Sequence, residues 1–291
     1  MKTVSAQCFT RITLALDIIG KIETGPCAGY HELAAIKHKI SLHDFLTVTE
    51  SSRMRVVCDN PGVPLDASNI CWKVADLLKT EFGISRNVTI VIEKHIPVQG
   101  GLAGGSANAA TMFLLLRELW GLDLDKNRLM ALSRTVGMDV PFYFAGSTAL
   151  DTEAAGTLTP VETPLRFDAV LVTPGFGVST KEAYANIDYS LIGRDRQKTL
   201  AMRDCLLAGD RAGVVAAMHN DFEQTVFLRY PMLPVIKKRL LDAGCASAVL
   251  SGSGSSMVGI LNSPDDFERV RREIGMQSIL VSSCPEQVPV I

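Results

Sequence analysis

Hydrophobic and polar positions alternate with two periods along this chain. From Arg11 to Ile18, the residues Ile12, Leu14, Leu16 and Ile18 share one face and Thr13, Ala15 and Asp17 the other, which predicts a strand. The same reading predicts strands at Leu33 to Ile40, Leu46 to Thr49 and Met54 to Cys58, and at Asn87 to Glu93, where Val88, Ile90 and Ile92 alternate with polar neighbours. Between the last two, Ile70, Val74, Leu77 and Leu78 recur at helical spacing and predict a helix from Ala67 to Phe82. Another helix opens near Ser106, its expected cap, buries Ala110, Phe113, Leu114 and Leu116 to Trp120, and ends at Gly121. A further helix is expected from about Asp125 to Val136, stopping at Gly137.

The texture changes near Thr157 to Arg166, a Pro- and Thr-containing stretch without helical periodicity, which reads as a crossing between lobes. Beyond it the pattern predicts a strand at Ala169 to Val172, several helices between Thr180 and Met218, and a helix from Pro234 to Ala243. A strand entering the Ser251 turn, a strand at Met257 to Leu261, a helix at Asp265 to Ile274 and a strand at Ser278 to Ser282 complete it. This is an α+β pattern with no internal repeat. With 291 residues and a prior of about 150 per domain, two lobes sharing one cleft are expected. The division falls at 1–156 and 157–291.

Residues Pro97 to Ala110 read P-V-Q-G-G-L-A-G-G-S-A-N-A-A, a glycine-dense turn between a predicted strand and a predicted helix. A helix start carries free backbone N–H groups and positive dipole charge, and glycines let a phosphate approach them. No lysine follows Gly104 or Gly105, so the turn is not a Walker loop, and the G-x-G-x-x-G spacing of a dinucleotide site is absent. The alternative, that the glycines only allow a tight strand-to-helix connection, stays open for the loop taken alone.

Composition narrows the setting. A net charge of −2 gives no basic field, so nucleic acid is not an expected partner. Seven cysteines form no C-x-x-C pair, which favours reduced thiols in a cytosolic protein. The start Met1 to Ser5 has no apolar signal region and no run approaches the roughly 18 apolar residues of a membrane span. A soluble, cytoplasmic protein is expected.

The glycine turn resembles the P-x-x-x-G-L-G-G-G-S-S-x-A-A motif of the GHMP kinases. Gly29-Tyr30-His31-Glu32-Leu33, Gly137-Met138-Asp139-Val140-Pro141-Phe142 and Leu250-Ser251-Gly252-Ser253-Gly254-Ser255 are similar to G-Y-H-x-L, G-x-D-V-P-F and M-S-G-S-G-S. These belong to the branch that phosphorylates the 2-hydroxyl of 4-diphosphocytidyl-2-C-methyl-D-erythritol, in the non-mevalonate isoprenoid pathway. The resemblance runs from about Ala6 to about Val281. It implies a two-lobed GHMP kinase fold, with an N-terminal ribosomal-protein-S5-like lobe and a C-terminal ferredoxin-like α+β lobe. It also implies ATP and Mg2+ as cofactors, a small-molecule cytidine diphosphate substrate, no nucleic acid or membrane partner, and a monomer or weak homodimer.

Site roles follow from the same resemblance. Pro97, Gly100, Gly101, Leu102, Ala103, Gly104, Gly105, Ser106 and Ala107 would bind ATP, with Ser253 and Gly254 closing on the phosphates. The Ser106 hydroxyl would reach a phosphate or the magnesium ion. Asp139 would be the base and Arg11 its electrostatic partner; read from the residues alone, Asp139 equally caps a short helix starting at Val140 or Pro141. Tyr30 would stack on the cytosine, His31 would bond its edge, Tyr184 would form the second wall, and Thr13 and Thr180 would complete the substrate site. His38, His43, His95 and His219 lack metal-ligand spacing and receive no role.

Several positions depart from the pattern. Arg11 stands where the family has lysine and Thr13 where it has asparagine. Ala103 and Ala107 replace a glycine and a serine, and Gln99 a small residue. If position 103 needs a positive φ, alanine costs on the order of 1 kcal/mol there. Asp151 to Gly156 lacks the usual G-x-G-E turn, so a differently placed loop between the lobes is expected. Two alternatives stay open: a homologue that binds a cytidine diphosphate ligand or ATP with weak or no transfer, and a GHMP kinase with a shifted acceptor.

Overall fold

A long antiparallel hairpin organises the first half of the chain. In the computed structural model, which describes residues 2–24, 28–152, 157–193 and 196–284, strand β1 (Thr3–Lys21) pairs with β2 (His31–Ser51) from Thr3 opposite Thr49 to Lys21 opposite His31. The three separate strands expected at Arg11 to Ile18, Leu33 to Ile40 and Leu46 to Thr49 are segments of this one hairpin. Register shifts at Phe9/Arg11, Thr13/Ala15 and Ile18/Gly20 interrupt the alternation, so the pattern reads as pieces.

Strand β3 (Arg55–Val57) lies parallel to β4 (Asn87–Glu93), which is antiparallel to β2. Strand β5 (Thr148–Thr152) pairs with β2 and with β6 (Thr157–Pro160). The first residues of the expected crossing are therefore an edge strand of this sheet, and the chain leaves it only after Pro160. Between these strands lie helices α1 (Ile70–Phe82), α2 (Gly104–Trp120), α3 (Lys126–Val136) and α4 (Phe142–Ala145). Helix α1 begins later than expected because Asp66 ties its side chain to Ser68 in a turn, while Asn69 caps the helix by accepting from the Cys71 N–H. Val74 and Leu78 of α1 and Phe113 and Leu116 of α2 are buried against Ala6, Leu46, Val48 and Ile90 of the sheet. Burial of each large side chain stabilises by about 1.5–3 kcal/mol.

The second half forms a four-stranded antiparallel sheet in the order β11-β7-β10-β9. Its strands are β7 (Asp168–Val172), β9 (Ser247–Leu250), β10 (Met257–Ile260) and β11 (Ser278–Ser282). Helices α5 (Thr180–Ala185), α6 (Gln197–Ala208), α7 (Arg211–Ala217), α8 (Glu223–Arg229), α9 (Met232–Asp242) and α10 (Phe267–Ile274) accompany them, the last entered through a 3-10 turn at Pro264–Asp266. The fold is α+β, as expected. One short strand, β8 (His219–Asn220), returns from this half to lie parallel to β1 and ends the first sheet's order β3-β4-β2-β1-β8. The two halves are thereby joined through this pairing of β1 with β8. The six described cysteines are free thiols, and burial pushes Cys8 up to about 12 and Cys284 to about 11.

Candidate active site

The glycine turn is anchored from below by Asp44 of β2. This carboxylate is fully buried and accepts from Lys94 Nζ at 2.5 Å, Asn108 Nδ2 at 2.8 Å and the N–H groups of His95 and Ile96 at 2.8 Å each. It thus ties the end of β4 to the first turns of α2. Above that anchor the backbone enters the left-handed region at Gln99, Gly101 and Ala103, with φ of 56°, 73° and 54°. Ala103 is the N-cap of α2 and offers no side-chain bond. The conditional expectation is met: alanine sits where glycine is favoured, at a cost on the order of 1 kcal/mol. Ser106 does not cap the helix; it is the third residue inside it. The first helical bond runs from Ala107 N to Ala103 O at 3.0 Å, so the N–H groups of Gly104, Gly105 and Ser106 lie ahead of the ladder.

The Ser251–Ser255 turn closes on this loop. A side chain on Gly101 would meet Ser251 O at 2.0 Å, so only glycine permits the approach. Ser256 N donates to Gly100 O at 3.1 Å, Ser251 Oγ donates to Gly101 O at 3.2 Å, and Ser251 Oγ accepts from Thr13 N at 3.3 Å. Ser253 Oγ meets Thr180 Oγ1 at 2.9 Å. The turn is held from behind by β8, where Asn220 Nδ2 donates to Leu250 O and Gly252 O at 2.7 and 2.8 Å. His219, for which the sequence suggested no role, pairs its Nε2 with Asp17 Oδ1 at 2.7 Å and pins β8 to β1.

Opposite the loop lies a four-membered charge cluster. Arg11 Nη2 donates to Asp139 Oδ2 at 2.7 Å, while Nη1 reaches Gly101 O at 2.8 Å and Thr13 Oγ1 at 3.1 Å. Lys37 Nζ donates to Asp139 Oδ1 and to Asp151 Oδ2, each at 2.5 Å. Asp139 is not a helix cap: Pro141 occupies the N-cap of α4 without a side-chain bond, and the Asp139 carboxylate is directed to Arg11 and Lys37. Burial alone would raise the Asp139 pKa, but the two cations outweigh it and hold the carboxyl well below the usual carboxylate range. Burial likewise works against the Lys37 ammonium, and the attraction of Asp139 and Asp151, opposed by Arg11, raises it above its ordinary value.

Lys37, Asp151 and Asp44 were not legible as site residues. The available signal was the run Ala34–Ile40 of β2, which is buried throughout yet contains Lys37, His38 and Lys39. His38 bonds Thr148 Oγ1 and Ser283 Oγ at 2.8 Å each, and burial draws its pKa down to about 4. The departure noted at Asp151 to Gly156 resolves partly: Asp151 and Thr152 belong to β5, opposite Ala35 and Ala34, and residues 153–156 lie outside the described set.

The loop and Arg11, Lys37 and Asp139 of the cluster line one cleft of about 500 Å³. Of the expected site residues, Arg11, Thr13, Pro97, Gly100 to Ser106, Asp139, Thr180, Tyr184 and Ser253 line it. Four do not. Ala107 packs into the core and its N–H serves the helix. Gly254 is buried, with its N–H bonded to Ser251 O at 2.9 Å. Tyr30 is 53% exposed and is not among the residues that line the cleft. His31 instead stacks on Tyr184, ring centroids 4.4 Å apart and planes at 20°, and Phe222 meets Tyr184 edge-on, so the aromatic wall is Tyr184 held by His31 and Phe222.

The open start of α2 fits nucleotide phosphates, since its unladdered N–H groups face the cleft and no acidic side chain lies in its first turn. Among the described residues no group of three or more His, Cys, Asp or Glu is placed to hold a metal ion. No described helix is long and apolar enough to cross a membrane.

Known proteins share this architecture. Residues 69–147 match the GHMP kinases N terminal domain and residues 202–276 match the GHMP kinases C terminal family. The chain is 35% identical over 274 residues to the 4-diphosphocytidyl-2-C-methyl-D-erythritol kinase of Alkaliphilus oremlandii, spanning 93% of this chain and 91% of that one. It is 36% identical over 276 residues to the kinase of the same name from Geobacter metallireducens, spanning 94% and 95%. A crystal structure of 4-(cytidine 5'-diphospho)-2C-methyl-D-erythritol kinase matches with a TM-score of 0.80 at 28% identity, over 96% of this chain and 99% of that one. Homoserine kinase from Cytophaga hutchinsonii shares the fold, with a TM-score of 0.76 at 19% identity over 100% and 98%. The fold and its cleft are those of a GHMP kinase, an ATP-dependent small-molecule kinase. Within that class the chain belongs to the 4-diphosphocytidyl-2-C-methyl-D-erythritol kinase family.

Proposed function

We propose that this protein transfers the γ-phosphoryl group of Mg-ATP to the 2-hydroxyl of 4-diphosphocytidyl-2-C-methyl-D-erythritol, the compound its relatives are named for. The observation that carries the reading is the placing of an open helix start and a cation-braced carboxylate in one cleft. The N–H groups from Gly101 to Ser106 hold the phosphates, with Ser253 closing from the facing turn. The Ser106 hydroxyl contacts a phosphate or the Mg2+. Bound Mg-ATP supplies an electrophilic phosphoryl group with its charge partly neutralised.

Asp139 orients the acceptor hydroxyl and takes its proton as the new P–O bond forms. A carboxylate held below its usual range is a weak base, so positioning carries more of the effect than basicity. Arg11 cannot lose its proton; it fixes one Asp139 oxygen and braces Gly101, linking the base to the phosphate loop. Tyr184, steadied by His31, offers the face for the cytosine ring, and Thr13 and Thr180 lie where the rest of the substrate passes. Tyr30, outside the cleft, is left out of this set. The reading takes the protein as cytoplasmic and as a monomer or weak homodimer.

Release of ADP by the purified protein, dependent on this substrate and abolished in Asp139→Asn, is the expected result. Tight substrate binding without ADP release would replace the reading with that of a binding protein. ADP release driven only by another alcohol would shift the acceptor.

A further inference from the structure

Lys37 lies at the meeting point of three strands. It stands directly opposite Thr13 of β1, and Ala35, two residues along the same face of β2, stands opposite Asp151 of β5. Its side chain is only 8% exposed, and it donates to two carboxylates, Asp139 and Asp151. The charges of Arg11, Lys37, Asp139 and Asp151 cancel, so removal of any one leaves the cluster with an uncompensated charge. A purely structural Lys37–Asp151 pair would be closed on itself. Here the ammonium also holds Oδ1 of a carboxylate whose side chain is 30% exposed toward the cleft. With Arg11 on Oδ2, the carboxylate is clamped at both oxygens from two different strands, and its plane is fixed.

We infer that Lys37 is a positioning residue for phosphoryl transfer, fixing the Asp139 carboxylate toward the acceptor hydroxyl, with Asp151 as its counter-charge. The inference rests on the kinase reading and adds to it a second cation and a second carboxylate. The charged and titratable groups facing Asp139 come from every neighbouring element: Arg11 from β1, Lys37 from β2, Asp151 from β5, Tyr143 from α4 and Tyr184 from α5. Of these, Lys37 alone bridges the cleft carboxylate to one behind it.

The test compares Lys37→Met, Asp151→Asn and the double variant in the full-length protein. Lys37→Met should lower kcat by about 100-fold with a much smaller change in KM for Mg-ATP, the loss expected when a reacting group is misplaced by about 1 Å. The double variant restores charge balance and should recover the thermal midpoint but not kcat. Asp151→Asn alone, which keeps the Lys37 contact to Asp139, should lose less than Lys37→Met. A second readout uses no ligand: isotope-edited infrared titration of the Asp139 carboxyl should show it protonating at higher pH in the double variant, because one of its two cations is gone. Recovery of wild-type kcat in the double variant, or an unmoved Asp139 titration, would overturn the inference and leave Lys37 as the partner of Asp151 only. If the wild-type protein fails to turn over this substrate, the kinase reading fails, while the infrared titration still decides the Lys37 contact.

Discussion

Two aspartates of this protein lie beside the phosphate loop, Asp44 buried and Asp139 half-buried, and they are satisfied in opposite ways. Asp44 is fully enclosed and accepts from two side chains and two backbone N–H groups drawn from the end of β4 and from α2. Asp139 is held by two cations, accepts no backbone bond among the described residues, and keeps part of its side chain open to the cleft. Among the described residues, neighbouring Arg11 Nε and Asp151 Oδ1 have no hydrogen-bond partner. A carboxylate saturated by fixed donors acts as a joint, because any movement breaks several bonds at once. One braced by cations on one side and open on the other can meet a substrate without dismantling the fold. The kind of partner and the open side separate the two roles.

The sharpest way to break this contrast is Asp44→Ala. Lys94 would be left buried and unpaired, and a stability loss of about 3–5 kcal/mol is expected in urea unfolding, with nucleotide binding lost along with the loop. A loss below about 1 kcal/mol would remove the reason for calling Asp44 a joint.

A smaller effect comes from His38, which shares the buried run of β2 with Lys37. Burial lowers its pKa from 6.5 to about 4. As pH falls between those values the unfolded chain takes up a proton that the folded chain refuses, so stability should drop, by about 3 kcal/mol in total. His219 runs the other way: burial opposes its charge, but Asp17 raises its pKa, so its contribution is full below 6.5 and is lost as pH rises through the folded value. Urea unfolding between pH 7 and pH 4 should therefore show a falling stability whose slope flattens in His38→Gln. An unchanged slope would assign the acid sensitivity elsewhere.

The smallest effect is at Ala103. Ala103→Gly removes a side chain from a left-handed position and should raise stability by about 1 kcal/mol. No gain would mean the loop tolerates alanine at that φ without strain.

What could be read from the chain was local and sequential. The glycine turn, the α2 pattern and the Gly137 to Phe142 motif each lie within a few consecutive residues, and Asp139 and Arg11 do meet at 2.7 Å although 128 positions separate them. The positive φ at Ala103 could be stated only as a condition, since the same letters suit either backbone. Lys37, Asp151 and Asp44 escaped because their partners are set by strand register, and register shifts within the hairpin hide which residues face one another. Tyr30 and His31 were placed by motif position, which does not fix the direction of a side chain; the rings that meet are His31 and Tyr184.

The most direct test of the account is a paired measurement on Asp139→Asn: binding of Mg-ATP by calorimetry, and phosphoryl transfer to 4-diphosphocytidyl-2-C-methyl-D-erythritol in a single turnover. If Asp139 is the open, chemical carboxylate, the variant should still fold, with a lowered thermal midpoint, and bind nucleotide, while transfer slows by about 10²–10⁴-fold. Transfer at the wild-type rate, or loss of folding and nucleotide binding together as expected for Asp44→Ala, would contradict it.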